Sequence, residues 1–300
     1  MKTYYATPND KRRLPWKRFS MHYGIYTPNY GAEMSARALA DLAREAEEAG
    51  WEGFFIWDHI QVSKSLRAPV LDPWVTLAAI AVNTKRIRLG AAVTPVARRR
   101  PWKLARETVT LDHLSQGRLI LAVGLGFPPD AEFAHFGEDP DAKVRAAKLD
   151  EGLDILAGLW RGKPFTYHGQ YYSIAKTVFL PRTFQSPRIP IWVGGFWPHK
   201  TPFRRAARWD GAFPLKTGGA MKKRDLEDIR AYIQQHRTAT TPFDLVMIGY
   251  TPGNDADKAR KIIAPYRAGG LTWWLESLFQ VHDSIAAMRR RIRQGPPQVE

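Results

Sequence analysis

Short apolar runs alternate with segments of helical periodicity from Met21 to the end of the chain, and this alternation constrains the fold most strongly. The apolar runs are continuous, as expected of parallel strands buried on both faces. Eight runs are predicted strands, at 21–26, 54–57, 87–93, 119–123, 191–194, 212–215, 245–249 and 271–275. Eight strand–helix units in about 280 residues predict a (β/α)8 TIM barrel. The alternative is a doubly wound open sheet, but we find no dinucleotide fingerprint.

The predicted barrel covers residues 21–295, between a basic arm at 1–20 and a short tail at 296–300. The arm is polar and lacks the apolar segment of a secretory signal. One connection, residues 161–190 between the fourth helix and the fifth strand, is far longer than the usual 2–6 residues. Aromatic residues around Gly169 predict a hairpin in this insertion. A lid, a dimer contact and an excursion without function all remain open for it.

The charge and composition restrict the class of partner. The chain has 45 Lys and Arg against 29 Asp and Glu, a formal charge of +16, which can indicate a nucleic-acid or anionic-membrane partner. However, the basic clusters are spread along the chain, and no helix-turn-helix, zinc or RNP pattern accompanies them. The chain has no cysteine and no apolar run near 18 residues. We therefore expect a cytoplasmic enzyme with a small-molecule substrate, without a nucleic-acid or membrane partner.

The active site of such a barrel lies at the carboxyl ends of its strands, and Asp58 and His59 follow the second strand. A histidine there can donate or accept a proton near neutral pH, and the aspartate could orient it or contact the substrate. Neighbours in an extended segment, however, point to opposite sides. The alternative for His59 is a buried, hydrogen-bonded histidine. No His or carboxylate pair has metal-ligand spacing, so we expect no metal.

Small residues end several of the predicted strands. The third strand carries Gly90-Ala91-Ala92 near its end, and the fourth ends in Gly124-Leu125-Gly126. Because small residues leave space beside the backbone, these strand ends predict a flat ligand over this edge of the sheet. Gly194-Gly195 is interpreted as a turn from strand to helix, where backbone N–H groups could hold a phosphate. The alternative is an ordinary tight turn.

Five segments together are typical of one known family. They are WDH (57–59), GAAVTP (90–95), LDHLSQGRLILAVGLG (111–126), FQSPRIPIWVGG (184–195) and GGLTWWLES (269–277). Through them the chain resembles the luciferase-like, flavin-dependent oxidoreductases built on the bacterial luciferase barrel. The resemblance covers nearly the whole chain after the arm, and it implies a homodimer.

The resemblance also implies a cofactor, either FMN or the deazaflavin coenzyme F420, at the barrel mouth. It implies a non-prolyl cis peptide at Ala91-Ala92 against the cofactor ring. The expected cofactor contacts are Ala91, Ala92, Thr94, Gly124, Gly126, Gly194, Gly195 and Phe196. The residues expected around an apolar substrate pocket are Trp57, Trp274 and Glu276.

In this interpretation His59 is the catalytic proton donor or acceptor and Asp58 is its partner, in an enzyme that transfers hydride to or from a small organic substrate. The Asp-His motif resembles the F420-using branch. However, Phe127-Pro128-Pro129 stands where sugar-phosphate dehydrogenases of that branch carry a glutamate, and Leu125 lies near the position of the luciferase arginine. Neither substrate is therefore carried over. The alternatives are a reduced-FMN monooxygenase that uses O2, a non-catalytic flavin-binding barrel, and a basic nucleic-acid-binding protein.

Overall fold

The protein is described by a computed structural model that covers residues 21–63, 65 and 67–298. The predicted arm (1–20) and the last two residues of the predicted tail lie outside the described residues. The strands are β1 (His22–Thr27), β2 (Gly53–Ile56), β3 (Arg88–Ala91), β4 (Thr94–Pro95), β5 (Leu121–Gly124), β6 (Phe165–His168), β7 (Ser173–Thr177), β8 (Ile191–Trp197), β9 (Gly211–Lys216), β10 (Asp244–Gly249) and β11 (Trp273–Ser277). The α-helices are α1 (Ala36–Glu48), α2 (Pro73–Asn83), α3 (Pro101–Leu114), α4 (Pro129–Glu132), α5 (Ala142–Leu159), α6 (Thr201–Ala206), α7 (Lys223–His236), α8 (Ala256–Ala268) and α9 (Ile285–Arg293).

Nine strands form one parallel sheet in the order β3-β2-β1-β11-β10-β9-β8-β5-β4. The two outermost strands are β3, which lies within the predicted third strand (87–93), and β4, which begins one residue after the predicted end. A parallel bridge from Leu89 to Leu119 joins β3 to the segment just before β5, so that the two edges of the sheet meet. The predicted (β/α)8 barrel is therefore confirmed, with its third strand divided in two.

The division of the third strand coincides with a cis peptide bond between Ala92 and Val93. The sequence-based prediction of this bond at Ala91-Ala92 is wrong by one residue. Pairing with β2 explains the difference: Ala91 is still in register with Ile56, and the Ala92 N–H donates to the Ile56 carbonyl over 2.9 Å. The regular ladder thus continues through Ala92, and the chain changes direction after it.

The insertion forms the predicted hairpin, in which β6 and β7 pair in antiparallel orientation. The Glu151 carboxylate of α5 accepts hydrogen bonds from the backbone N–H groups of Gln170, Tyr171 and Tyr172 next to the hairpin turn. Beyond the hairpin, His113 of α3 bonds the carbonyl of Arg182 over 2.8 Å. These contacts attach the insertion to the outer surfaces of α3 and α5.

Apolar side chains pack in two layers, one between the sheet and the helices and one inside the barrel. The inner layer consists of Phe55, Ala92, Ile120, Ala122, Trp192, Phe213, Val246, Trp273 and Leu275. Large rings dominate it: the Trp192 ring lies 5.2 Å from Phe55 and 5.4 Å from Trp273. The interior is therefore filled, and a ligand has room only above this layer, at the carboxyl ends of the strands. Within residues 21–63, 65 and 67–298, none of the helices combines the length and the apolar character needed to cross a membrane.

Candidate active site

The ring of His59 is bound by a buried carboxylate at the carboxyl ends of the strands. His59 Nδ1 lies 2.8 Å from Oε1 of Glu132, the last residue of the short helix α4 that follows β5. Glu132 is fully buried and also accepts from the backbone N–H groups of Ile60 and Gln61. Glu132 is absent from the predicted site residues, because the predicted loop at Phe127-Pro128-Pro129 ends three residues before it. The available signal is Pro129, a typical first residue of a helix, which places Glu132 one turn further on.

Asp58 is not the partner of His59. Its carboxylate is bound by Arg98, with Nη2 to Oδ1 at 2.5 Å, and by Arg99, whose Nη2 lies 2.9 and 3.0 Å from the two oxygens. Successive side chains of an extended segment point to opposite sides, so Asp58 turns away as His59 faces Glu132. Arg98 also forms an ion pair with Glu132. Two buried carboxylates are thus matched by two guanidinium groups.

The environment of His59 keeps its ring neutral. Burial lowers the pKa of His59 to about 4, assisted by the Arg98 guanidinium and opposed in part by the Asp58 carboxylate. An ionised carboxylate only accepts hydrogen bonds, so the proton of the neutral ring is placed on Nδ1, facing Glu132. The lone pair is therefore on Nε2. Asn29 fixes the backbone here, because its side-chain amide donates to the carbonyls of His59 and Leu71 over 3.0 and 2.7 Å.

Aromatic side chains adjoin His59. Trp57, predicted to line the substrate pocket, has its ring 5.4 Å from that of His59 and stacks on Phe279 at 5.4 Å and 20°. Tyr26 and Tyr30 contact Trp57 at 5.8 and 5.9 Å. Phe279 follows β11, so the ends of three neighbouring strands, β2, β1 and β11, contribute rings to this side of the mouth.

Trp274 and Glu276, predicted to belong to the pocket, lie elsewhere. Side chains alternate along β11, and Trp273 is the one that points into the barrel. Trp274 packs in the outer layer against Tyr266 of α8, with ring centroids 6.1 Å apart. Glu276 accepts from Trp274 Nε1 over 2.9 Å and lies 3.4 Å from Arg291 of α9. Both side chains face the helices and not the barrel interior. The prediction that they line the substrate pocket is therefore wrong, because it assigns the wrong alternate residues of β11 to the inner face.

The predicted cofactor glycines mostly make room for other parts of the protein. A Cβ atom on Gly124 would lie 2.7 Å from Val93 Cγ2, and one on Gly194 would lie 2.9 Å from Val93 Cγ1. A Cβ on Gly126 would lie 2.8 Å from the Phe133 ring, and Gly126 has a φ of +81°. Val93 thus covers two of these strand ends and forms the floor of the mouth above the inner layer.

Gly194-Gly195 does not form a turn from strand to helix. Strand β8 continues through both glycines to Trp197, paired with β9 as far as Lys216, and helix α6 begins only at Thr201. A Cβ on Gly195 would lie 2.1 Å from Pro202 of that helix, so this glycine allows close packing of strand and helix. The prediction of a phosphate-binding helix start at this glycine pair is therefore wrong.

Other predicted cofactor contacts fall into two groups. Ala91 faces the outer layer, whereas Ala92 faces the inner one, directly under the mouth. Phe196 is 36% exposed and makes an edge contact with Phe127, which is 66% exposed. These two rings give the mouth an apolar side opposite the group around Trp57.

Polar atoms suited to a flat heterocycle lie at the same strand ends. Of the nine buried side-chain N and O atoms without a protein hydrogen-bond partner among the described residues, four follow or lie on strands β1, β2 and β4: Thr27 Oγ1, Asn29 Oδ1, Trp57 Nε1 and Thr94 Oγ1. Buried polar atoms normally have partners, and a bound ligand or water can supply them. Apolar faces together with these donors and acceptors fit a flavin or deazaflavin ring, which is apolar on its faces and polar along one edge.

The fold and the site therefore define a (β/α)8 barrel with a histidine and a carboxylate at its mouth. Residues 21–295 match the family model of the luciferase-like monooxygenases, and the chain belongs to this family. An F420-dependent glucose-6-phosphate dehydrogenase from Nakamurella multipartita is 35% identical over 185 residues, which cover 61% of this chain and 52% of that protein. The protein of the same name from Beutenbergia cavernae is 31% identical over 264 residues, covering 86% of this chain and 76% of that protein. The first match thus spans about half the length of the relative.

A solved F420-dependent secondary alcohol dehydrogenase, in complex with an F420-acetone adduct, superimposes with a TM-score of 0.77 at 16% identity. The superposition covers 94% of this chain and 99% of that one. At this level of identity the likeness shows a common fold.

Proposed function

We propose that the protein is an F420- or FMN-dependent oxidoreductase that interconverts a small alcohol and its carbonyl compound. The observation that carries the proposal is the contact of His59 Nδ1 with the buried Glu132 carboxylate at the carboxyl ends of the strands. Together with the lowered pKa of His59, this contact leaves Nε2 free to accept a proton. The names of the two relatives favour F420, and we take F420 as the first candidate. The whole protein is proposed to act in the cytoplasm as a homodimer.

In the oxidation direction, His59 Nε2 accepts the hydroxyl proton of the substrate as the C–H bond breaks. The bound cofactor supplies the hydride acceptor. Glu132 holds the imidazole in the correct tautomer, and Arg98 compensates the charge of Glu132. In the reverse direction the imidazolium returns the proton to the carbonyl oxygen.

We propose that the cofactor ring lies on the floor formed by Ala92 and Val93, with polar contacts to Thr27, Asn29 and Thr94. Supporting evidence comes from the unpartnered polar atoms of these three side chains. The apolar surface of Phe127 and Phe196 would cover another part of the cofactor. Each of these contacts is a proposal for mutagenesis.

The first experiment is a titration of the purified protein with F420 and with FMN, each oxidised and reduced, followed by absorption and fluorescence. We expect selective binding of F420. In the loaded enzyme, His59→Ala should lower kcat by about 10²–10⁴-fold, the range for a general base, and change cofactor affinity by less than about threefold. His113→Ala, on the outer surface of α3, is the control. An unchanged kcat in His59→Ala would reject the assignment.

The second candidate is a reduced-FMN monooxygenase, which the description of the matching family favours. It predicts preferential binding of reduced FMN and consumption of O2 in proportion to product. The F420 enzyme predicts the same rate in air and under nitrogen. An oxygen electrode trace on the loaded protein therefore separates the two.

A further inference from the structure

We infer that the substrate at this site is an uncharged alcohol or carbonyl compound with an apolar or aromatic body, bound beside a row of stacked rings. This inference rests on the proposed function. It concerns the part of the substrate that does not react, for which the residues around His59 provide the surface.

The rings are those of Trp57, Phe279 and His282, here called the aromatic row. Trp57 stacks on Phe279 at 5.4 Å and 20°, and Phe279 stacks on His282 at 5.1 Å and 8°. The Tyr30 ring packs edge-on against both end members of the row, at 5.9 Å from the Trp57 ring and 5.2 Å from the His282 ring. Because these contacts fix both end rings, the aromatic row is a preformed apolar surface.

The aromatic row begins at the proposed base. The Trp57 ring lies 5.4 Å from the His59 ring, so a substrate whose hydroxyl meets His59 Nε2 extends along the row. Phe279 is 41% exposed, and two apolar neighbours of the strand ends, Ile60 and Tyr250, are also exposed. Covering these side chains with an apolar substrate removes their surface from water and favours binding.

The charges on this side of the mouth disfavour an anionic substrate. Arg98 and Arg99 are bound to the carboxylates of Asp58 and Glu132, so they are already compensated. At the far end of the aromatic row, the exposed carboxylate of Asp283 lies 3.3 Å from His282 Nε2. A phosphate dianion requires donors that are not already paired with acids, and it is repelled by a neighbouring carboxylate. The row therefore fits a neutral body better than a sugar phosphate.

The test measures binding to the protein loaded with the cofactor that the titration selects. The two probes are 1-phenylethanol and glucose 6-phosphate, each followed by calorimetry and by initial rates. We expect 1-phenylethanol to bind at least tenfold more tightly than glucose 6-phosphate. Phe279→Ala should weaken binding of 1-phenylethanol about tenfold and raise its KM similarly, with kcat changed less than about threefold.

The matched control is Phe184→Ala, an exposed phenylalanine on the insertion, which should leave both constants unchanged. Tighter binding of glucose 6-phosphate, absence of binding by either probe, or an unchanged affinity in Phe279→Ala overturns the inference. Failure of the proposed function is recognised separately, by absence of cofactor binding or by an unaffected rate in His59→Ala. Cofactor affinity in Phe279→Ala, measured first, confirms that this variant is folded.

Discussion

His59 illustrates how one buried side chain couples the site to the stability of the protein. Its pKa is lowered from 6.5 to about 4. Between these two values the unfolded chain binds a proton that the folded protein does not, so the free energy of unfolding decreases as the pH falls through this window. From pH 7 to pH 5 this amounts to about 2 kcal/mol, at 1.36 kcal/mol per unit.

Denaturant unfolding of the wild type and of His59→Gln at pH 7 and pH 5 measures this contribution. We expect the wild type to lose about 2 kcal/mol more than the variant between the two pH values. Identical losses in both proteins would mean that His59 keeps an ordinary pKa when folded.

Glu132 should act through the tautomer of His59. In Glu132→Gln, two donors, the Arg98 guanidinium and the Ile60 N–H, face the position of Oε2, whereas the Gln61 N–H alone faces that of Oε1. The amide oxygen therefore takes the Oε2 position, and the NH2 group faces His59. The ring must then accept at Nδ1 and carry its proton on Nε2, where it can no longer act as a base. We expect kcat to fall about 10²-fold or more, by analogy with the wrong-tautomer effect in serine proteases.

Nitrogen-15 NMR of the His59 ring identifies the tautomer directly, and kcat measures the effect of the tautomer on catalysis. Glu138→Gln, an exposed glutamate nearby in the chain, is the control. In a His59→Ala background the Glu132→Gln change should have little further effect. A large additional loss there would show that Glu132 acts independently of His59.

The position of the second strand in the sequence predicts that Trp57 and His59 lie at the barrel mouth. It does not predict which side chains they contact there. Which side chains of β11 point into the barrel depends on which face of the strand the barrel encloses, and the local sequence does not encode this. The prediction therefore places Trp274 and Glu276 on the wrong face. Glu132 reaches His59 across 73 positions of chain, a contact that local patterns do not encode.

At the scale of secondary structure elements, Gly90 is required for closure of the barrel. A Cβ atom there would lie 2.1 Å from the carbonyl oxygen of Ile120, which belongs to the segment just before β5. Backbone cannot move away as a flexible side chain can. Gly90→Ala should therefore reduce the free energy of unfolding by at least about 3 kcal/mol, within the range for overpacked or strained core positions.

Urea unfolding checks this expectation. Gly137→Ala is the control, because Gly137 has a φ of +72° but nothing within 4 Å of the added Cβ. Gly137→Ala should reduce the free energy of unfolding only by the cost of placing alanine in the left-handed conformation, about 1–2 kcal/mol. Equal costs at the two positions would contradict the role assigned to Gly90.

Most elements were predictable because continuous apolar runs are typical of buried parallel strands. Glycine was the main source of error. The pair Gly194-Gly195 favours a turn in sequence, but β8 continues through it. A glycine within a strand can instead allow close packing against a neighbour. Which of the two applies depends on Val93 and Pro202, residues that are remote in the chain.

At the scale of the whole molecule, we expect a homodimer. Val75 and Val82 lie two turns apart on α2 and are 68% and 69% exposed, so they present apolar surface on one face of this helix. Light scattering after size exclusion should give twice the chain mass of 34.1 kDa. Val82→Glu should shift the mass toward the monomer, whereas Val178→Glu, at the exposed residue that follows β7 in the insertion, should not. A monomeric wild type would contradict the expectation.

The contact of Val93 with Gly124 and Gly194 also has a consequence for how this barrel can change over evolution or by design. The Val93 side chain occupies the space that a side chain at Gly124 of β5 or at Gly194 of β8 would need, so the three positions share one volume. A larger residue at either glycine is tolerated only after Val93 has become smaller, and each intermediate sequence must fold. Variants of the floor of the mouth should thus arise as linked substitutions in a fixed order, with a small residue at position 93 first.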